Sequence, residues 1–441
     1  VRALIERRFG VAAASSSIRT EVLAGGTTFL TMAYIIVVNP AILHETGMPL
    51  AGVAAATCIA AAVGSLLMGL IANYPIALAP GMGLNAYFAY TVVKGMGVPW
   101  ETALGCVFIS GVAFLAMTAV GLRQLIVGAI PRPLFAAVAG GVGLFITFIG
   151  LKDAGVVVSN PATTVGLGDL KAPATALALL GVLVIAALQA LRVRAAILIG
   201  IAAITAIAWM LGLVTVPAAA WSRPDFAGVA LKLDIPGALH LGGRFGAGLL
   251  EIIFVFLFVD LFDNLGTLVA VTKEAGLVEA DGTIPRLNRI FFADSLAAIA
   301  GALAGTSTTV SYIESAAGVA AGGRTGLASV VTGLLFLGAL ALTPLAPAIP
   351  AAATAPALIL VGGMMLPILK EIEWSDPVIG APALLTVATI PLTFSIANGL
   401  AIGVVSYAAL TLITGRWRWS DAAVSVLALL CVARFVYLAA K

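Results

Sequence analysis

The sequence predicts an all-α polytopic membrane protein of about 14 spans in two inverted sets of seven, and three observations predict it. Of 441 residues, 61% are hydrophobic and 10% charged, where a soluble domain runs about 45–50% apolar and about 25% charged. Apolar segments recur along the whole chain at about one per 30 residues, which leaves room for about 14 crossings of about 20 residues each. Lys and Arg collect at alternate connections, as cytoplasmic loops do. A water-soluble enzyme is excluded. The net charge of +3, from 23 Lys plus Arg against 20 Asp plus Glu, is too balanced and dispersed to imply a nucleic-acid partner. Cys58, Cys106 and Cys431 lie in apolar runs without metal-ligand or redox spacing, and His44 and His240 form neither a metal cluster nor a proton relay. No cofactor is implied.

A polar stretch holding Arg2, Arg7, Arg8 and Arg19 precedes the first apolar run; no cleavable signal peptide is read in it, and the first span is expected to direct insertion. Segments bounded by charge, Pro or Gly run from Val22 to Leu43, Ala51 to Ala72, Ile76 to Val93, Trp100 to Val120, Leu134 to Leu151, Thr175 to Leu191 and Ala195 to Val216. These make a first repeat over residues 1–216. A polar extracytoplasmic connection, 217–247, carries Trp221, Arg223, Asp225, Lys232, Asp234 and Arg244. The second repeat, 248–414, resumes with Gly248 to Val271, Arg289 to Ala304, Thr306 to Ala321, Thr325 to Leu345 and Pro356 to Leu369. The stretch from Ile379 to Thr414 is too long for one perpendicular crossing at about 1.5 Å per residue, and Asn398-Gly399 predicts a tight hairpin of two short spans there. In the C-terminal segment, 415–441, the basic aromatic run Gly415-Arg-Trp-Arg-Trp419 precedes Ala422 to Ala440, which lies along the interface or adds a crossing.

Every even-numbered exit is basic: Arg123 and Arg132, Arg192 and Arg194, Lys273, Arg286 and Arg289, Arg324, Lys370, then Arg416 and Arg418. The N-terminal arginines fall on the same side, so the N-terminus is expected in the cytoplasm. Seven spans from an inside start end outside, and the second seven are then inverted. A weak trace of the repeat aligns Pro133–Gly140 with Pro356–Gly363. The third span of each set is interrupted, and interruptions at matching ranks point to a binding site.

In the third span, Pro80, Gly81 and Gly83 fall inside four residues, so the helix should unwind there. In the tenth, Gly305 to Glu314 is rich in β-branched and hydroxyl residues that suit an extended segment leading into a half-helix. Unpaired peptide groups persist at membrane depth only where protein or a polar cavity satisfies them. A kink between packed helices is the alternative for either break alone.

Acids in spans are the sharper signal, because Asp at a bilayer centre costs about 2.5–3.5 kcal/mol. Asp260, Asp263 and Glu314 stand deep, and Asp260, Asp263, Asn264 and Thr267 fall at i, i+3, i+4 and i+7, one stripe of a helix. The stripe faces a ligand site or clamps helices together. Two carboxylates one turn apart in a poorly hydrated site do not both ionise easily, which makes this a candidate proton-coupling site. Such carboxyls also exchange hydrogen bonds with planar heterocycles, and Asn85, with amide donors and an acceptor, suits the same task or caps the broken helix. Gly322 to Gly326 lacks phosphate-loop spacing and is read as a cytoplasmic turn.

The segments Arg19 to Tyr34, Ala79 to Phe88, Phe258 to Thr267, and Gly305 to Gly326 with its Ser-Tyr-Ile-Glu-Ser-Ala-Ala-Gly core resemble the adenine/guanine/hypoxanthine permeases of the nucleobase/ascorbate transporter superfamily. The resemblance spans nearly the whole chain. It implies a uracil-permease-like fold in which spans one to four and eight to eleven form a core domain and spans five to seven and twelve to fourteen a gate domain. Substrate would bind between short extended parts of spans three and ten. By position Asp263 looks like the family's span-eight carboxylate, Glu314 like the span-ten carboxylate that holds the base, Asp260 like the second span-eight acid and Asn85 like the span-three contact. Thr267 stands where uracil-type relatives resemble one another in having His, so the purine branch fits better and proton coupling falls to Asp260, Asp263 or Glu314, with Asp263 favoured. The expected function is import of purine bases by proton symport, with alternating access, in the cytoplasmic (inner) membrane and with a possible homodimer; an anion exchanger or channel on the same fold is the alternative.

Overall fold

The computed structural model describes residues 2–121, 131–214, 226–240, 248–279 and 283–439. Arg123, Val216, Ala440 and the parts of the polar connection at 217–225 and 241–247, with Trp221, Arg223, Asp225 and Arg244, lie outside the described residues. Among the described residues the chain is mostly helical, with 10 helices long and apolar enough to cross a membrane and three shorter apolar ones, Ala196–Met210, Pro377–Thr393 and Ala422–Ala433.

In chain order the elements are α1 (Arg2–Phe9), α2 (Ile18–Met32), α3 (Ile35–His44), α4 (Leu50–Leu67), β1 (Leu78–Pro80), α5 (Met82–Ala86), α6 (Trp100–Ala119), α7 (Arg132–Asp153), β2 (Val157–Asn160), β3 (Thr164–Leu167), α8 (Pro173–Ala190), α9 (Ala196–Met210) and α10 (Ile235–Leu239). They continue with α11 (Gly248–Glu274), α12 (Leu287–Ala304), β4 (Thr309–Ser311), α13 (Ser315–Ala320), α14 (Gly326–Ala339), α15 (Ala351–Met365), α16 (Pro377–Thr393), α17 (Ile396–Ile413) and α18 (Ala422–Ala439). Wide π-helical turns, Met68–Ala72 and Tyr87–Gly95, extend α4 and α5.

The chain divides into two compact units, one of residues 1–119 and 152–357, the other of 120–151 and 358–441. In the first, α12 packs on α4 and α6, and α14 on α2 and α4. The α4–α14 side is closed by backbone contact: a Cβ on Gly69 would lie 2.5 Å from the Gly326 carbonyl oxygen, and one on Gly326 would lie 2.3 Å from that of Gly69. Only glycine permits this approach. The Gly322–Gly326 segment is a turn between α13 and α14, held by buried Glu21, whose carboxylate accepts from the Arg324 N–H at 2.9 Å and the Thr325 N–H at 3.2 Å. The first apolar run forms one candidate span, Ile18–His44, in which α2 and α3 follow one another through Ala33 and Tyr34, both still in right-handed helical conformation.

Where Pro80-Gly81 and the run after Gly305 predict breaks, β1 and β4 pair antiparallel, with Leu78 opposite Ser311, Ala79 opposite Val310 and Pro80 opposite Thr309. Each break supplies the peptide partners that lipid would deny the other. A second hairpin, β2–β3, joins α7 to α8.

In the other unit, α7 meets α15, where the Thr147 hydroxyl donates to the Ile359 carbonyl at 3.3 Å, and a core of Ala136, Ala137, Ile372, Ala383 and Val387 lies beside it. A hairpin of α16 and α17 forms, but its turn is not at Asn398-Gly399. The chain reverses at Phe394, in the left-handed region at φ 50°, and Ser395 caps α17 by accepting from the Asn398 N–H at 3.2 Å. Asn398 and Gly399 therefore lie in the first turn of α17, where Gly399 admits Ile390 of α16. The α18 helix packs along α17 and exposes Leu429 and Leu430.

Candidate functional site

The β1–β4 pair is the frame. Besides the ladder, the Gly81 N–H donates to the Thr308 carbonyl at 2.9 Å and the Tyr312 N–H to the Ala77 carbonyl at 3.0 Å. Side chains finish the accounting: the Ser65 hydroxyl bridges the Leu78 N–H and carbonyl, both at 3.1 Å, and Ser315 Oγ accepts from the Ala77 N–H at 3.0 Å. Pro80 has no N–H to leave unpaired, and its carbonyl accepts from Tyr312 Oη at 2.5 Å. The segment is thus fixed from both sides of the break.

The polar stripe of α11 divides into two edges. Asp260 and Asn264 are buried: Asn264 Nδ2 donates to Asp260 Oδ1 at 2.8 Å and to Asp294 Oδ2 on α12 at 2.9 Å, while Asn264 Oδ1 accepts from the Ser311 N–H at 2.7 Å. This edge pins α11 to α12 and β4. Asp263 and Thr267, on the other edge, stay partly exposed. A Cβ built on Gly81 would stand 3.7 Å from Asp263 Oδ2, which places that carboxylate against the end of β1. Glu314, also partly exposed, follows β4, and Tyr34 Oη donates to its Oε1 at 2.6 Å.

Asn85 lies one helical turn after Gly81, its N–H bonded to the Gly81 carbonyl at 2.9 Å. It is wholly buried, and its Nδ2 donates to Asn39 Oδ1 at 2.5 Å. Asn39 Nδ2 in turn donates to Thr57 Oγ1 at 2.7 Å and Thr306 Oγ1 at 3.0 Å. Among the described residues Asn85 Oδ1 has no hydrogen-bond partner, nor do the buried hydroxyls of Ser307 and Thr308 just before β4 and of Thr309 and Ser311 in it. Of the five residues singled out in the sequence, the structure brings Asp263, Glu314 and Asn85 to the two ends of the strand pair, sets Asp260 into the buried clamp behind it, and leaves Thr267 one turn along α11 from Asp263. Sequence reasoning missed Tyr34, Asn39, Asp294 and Tyr312. Asn39 and Asp294 did carry a signal, each being a polar side chain inside an apolar run.

This arrangement is two carboxylates and an amide around a backbone frame, suited to hydrogen-bonding a polar planar ligand. A model of the Permease family (Xan_ur_permease) matches residues 19–402. Similar curated proteins include "Putative permease MJ0326" of Methanocaldococcus jannaschii, 48% identical over 98% of this chain and 98% of that one. They also include adenine permease AdeP of Escherichia coli, 42% identical over 99% and 96%, and guanine/hypoxanthine permease PbuG of Bacillus subtilis, 44% identical over 89% and 90%. Among solved structures, the transmembrane domain of a cyanobacterium bicarbonate transporter, BicA, is similar in fold, with a TM-score of 0.61 at 17% identity over 91% of this chain and 96% of that one.

Proposed function

This chain belongs to the Permease family, a family of transporters rather than enzymes, and from that membership we propose that it carries purine nucleobases across the membrane in which it is embedded. The observation that carries the reading is the pair of partly exposed carboxylates, Asp263 and Glu314, at the β1–β4 frame. A ring with adjacent N–H donors and ring nitrogens satisfies such a set. Asp263, Glu314 and Asn85 contact the base, Thr267 flanks it, and Asp260 acts from behind by holding Asn264 and, through it, β4.

In the fuller proposal Asp263 takes up and releases the coupling proton, import is by symport, and a core domain of spans one to four and eight to eleven moves against a gate domain of the others so that the site faces each side in turn. This belongs to an architecture of seven plus seven inverted spans with a cytoplasmic N-terminus in the plasma membrane, with a homodimer through the gate domain. The names of AdeP and PbuG support purines as the substrate class. The likeness to a bicarbonate transporter favours a second reading, an anion exchanger, but an anion site would present Arg, Lys or bare helix N-termini to its ligand where Asp263 and Glu314 stand.

The test is thermal stabilisation of the purified protein by adenine, guanine, hypoxanthine, xanthine and uracil across a pH series, since a ligand of the folded state raises the melting point. Purines are expected to stabilise it in a pH-dependent manner. Stabilisation by bicarbonate or sulfate with none by any base would transfer the assignment to the second reading. Uptake by proteoliposomes that persists unchanged when a protonophore removes the proton gradient would remove the symport.

A further inference from the structure

We infer that Asn39 is a positioning residue that fixes the Asn85 amide with its carbonyl oxygen toward the base, so that the site offers an acceptor at this position and reads an N–H edge. The inference rests on the reading of Asn85 as a substrate contact. The direction of the chain of hydrogen bonds is set at its far end. The Thr57 hydroxyl donates its single hydrogen one turn back along α4, to the Val53 carbonyl at 2.7 Å. Toward Asn39 it can therefore only accept, and the group at 2.7 Å from it must be the Asn39 NH2. The second hydrogen of that NH2 goes to Thr306 Oγ1 at 3.0 Å. Asn39 is left with its carbonyl facing Asn85, so the Asn85 group at 2.5 Å from it must be the NH2.

The Asn85 carbonyl is thereby the free end of the chain, and it is the end with no hydrogen-bond partner among the described residues. All four side chains, Asn39, Thr57, Asn85 and Thr306, are 0% exposed, so turning either amide over would oppose like groups in a place water does not reach. Asn85 follows Gly81 by one turn, its N–H bonded to the Gly81 carbonyl at 2.9 Å, and a Cβ built on Gly81 would pack on Val310 and stand 3.7 Å from Asp263 Oδ2. A base that reaches Asp263 beside Gly81 is thus one helical turn from Asn85. Along its six-membered ring a 6-aminopurine has N–H groups at C6 and a bare N1; a 6-oxopurine has a bare oxygen at C6 and an N1–H. The two patterns are interchanged. A fixed acceptor discriminates between them, whereas an amide free to turn accommodates both.

The experiment measures Kd for adenine and hypoxanthine on the purified full chain by calorimetric titration, together with the ligand-free melting point. The wild type is expected to separate the two bases by about tenfold or more, the scale set by one unsatisfied polar group. Thr57→Val keeps the shape but lets the Asn39 amide turn, because the remaining Thr306 hydroxyl serves equally as donor or acceptor; the ratio should collapse toward one. Thr57→Ser should restore it, and Thr306→Val, which leaves Thr57 in charge of the polarity, should keep it. If Thr57→Val does not fold, Asn39→Leu must produce the same collapse. A wild type that does not separate the bases, or a Thr57→Val variant that weakens both equally at an unchanged ratio, overturns the inference while the proposed function stands. A wild type that binds neither base but binds an anion overturns both.

Discussion

At the scale of the residue, Asp263 and Asp260 show how one turn of helix separates two uses of the same carboxylate. Asp260 is closed in by Asn264, whereas Asp263 faces the end of β1 and stays partly exposed. Asp263→Asn and Glu314→Gln are expected to lose purine-induced stabilisation by about tenfold or more in ligand concentration, each with a ligand-free melting point near that of the wild type. Unchanged purine titrations for both variants would reject their assignment. Asn264→Leu should do the reverse. It removes one hydrogen bond each from Asp260, Asp294 and the Ser311 N–H, at roughly 1–3 kcal/mol for a buried group that loses its partner, so the ligand-free protein itself should melt lower. The i, i+3, i+4, i+7 stripe was legible in the sequence because spacing alone sets a helix face. Its division into a clamp and an accessible edge was not, since that depends on Asp294 and Ser311 arriving from elsewhere in the chain. The Asn39–Asn85 bond was illegible for the same reason.

Among elements, the two breaks were legible from residues that helices disfavour, Pro80 and Gly81 in one and the hydroxyl-rich run after Gly305 in the other. Their mutual pairing as β1 and β4 was not, because neither segment is more than three residues long and neither encodes its partner. The α16–α17 reversal was misplaced for an instructive reason. Asn-Gly is a strong turn signal, yet here Ser395 sits three residues ahead of Asn398 and caps a helix that carries the pair inside it. The glycine contact between α4 and α14 yields a prediction at this scale. Gly326→Ala places a methyl 2.3 Å from the Gly69 carbonyl oxygen, a backbone atom that cannot swing away, so the helices must part. Circular dichroism melts should show a fall of several degrees, with helix content at low temperature preserved.

For the whole molecule, composition made the membrane class plain, and the rhythm of apolar runs recovered most of the helices; the partition into two units depends on packing that no local pattern records. All five candidate residues belong to the unit of 1–119 and 152–357, whereas α18 belongs to the other. Removing residues 417–441 should therefore lower the melting point modestly and leave the purine-induced increment intact; loss of that increment at full expression would show that the site draws on the other unit. The strand pair also sets an order of events during synthesis. Residues 78–80 and 309–311 must meet, and at roughly 5–20 residues per second the ribosome delivers the second roughly 10–50 s after the first. Through that interval the early helices hold an open Leu78–Pro80 edge in the bilayer, so the candidate site cannot mature before the second strand arrives, and a stalled chain would present quality-control proteases with that unpaired edge.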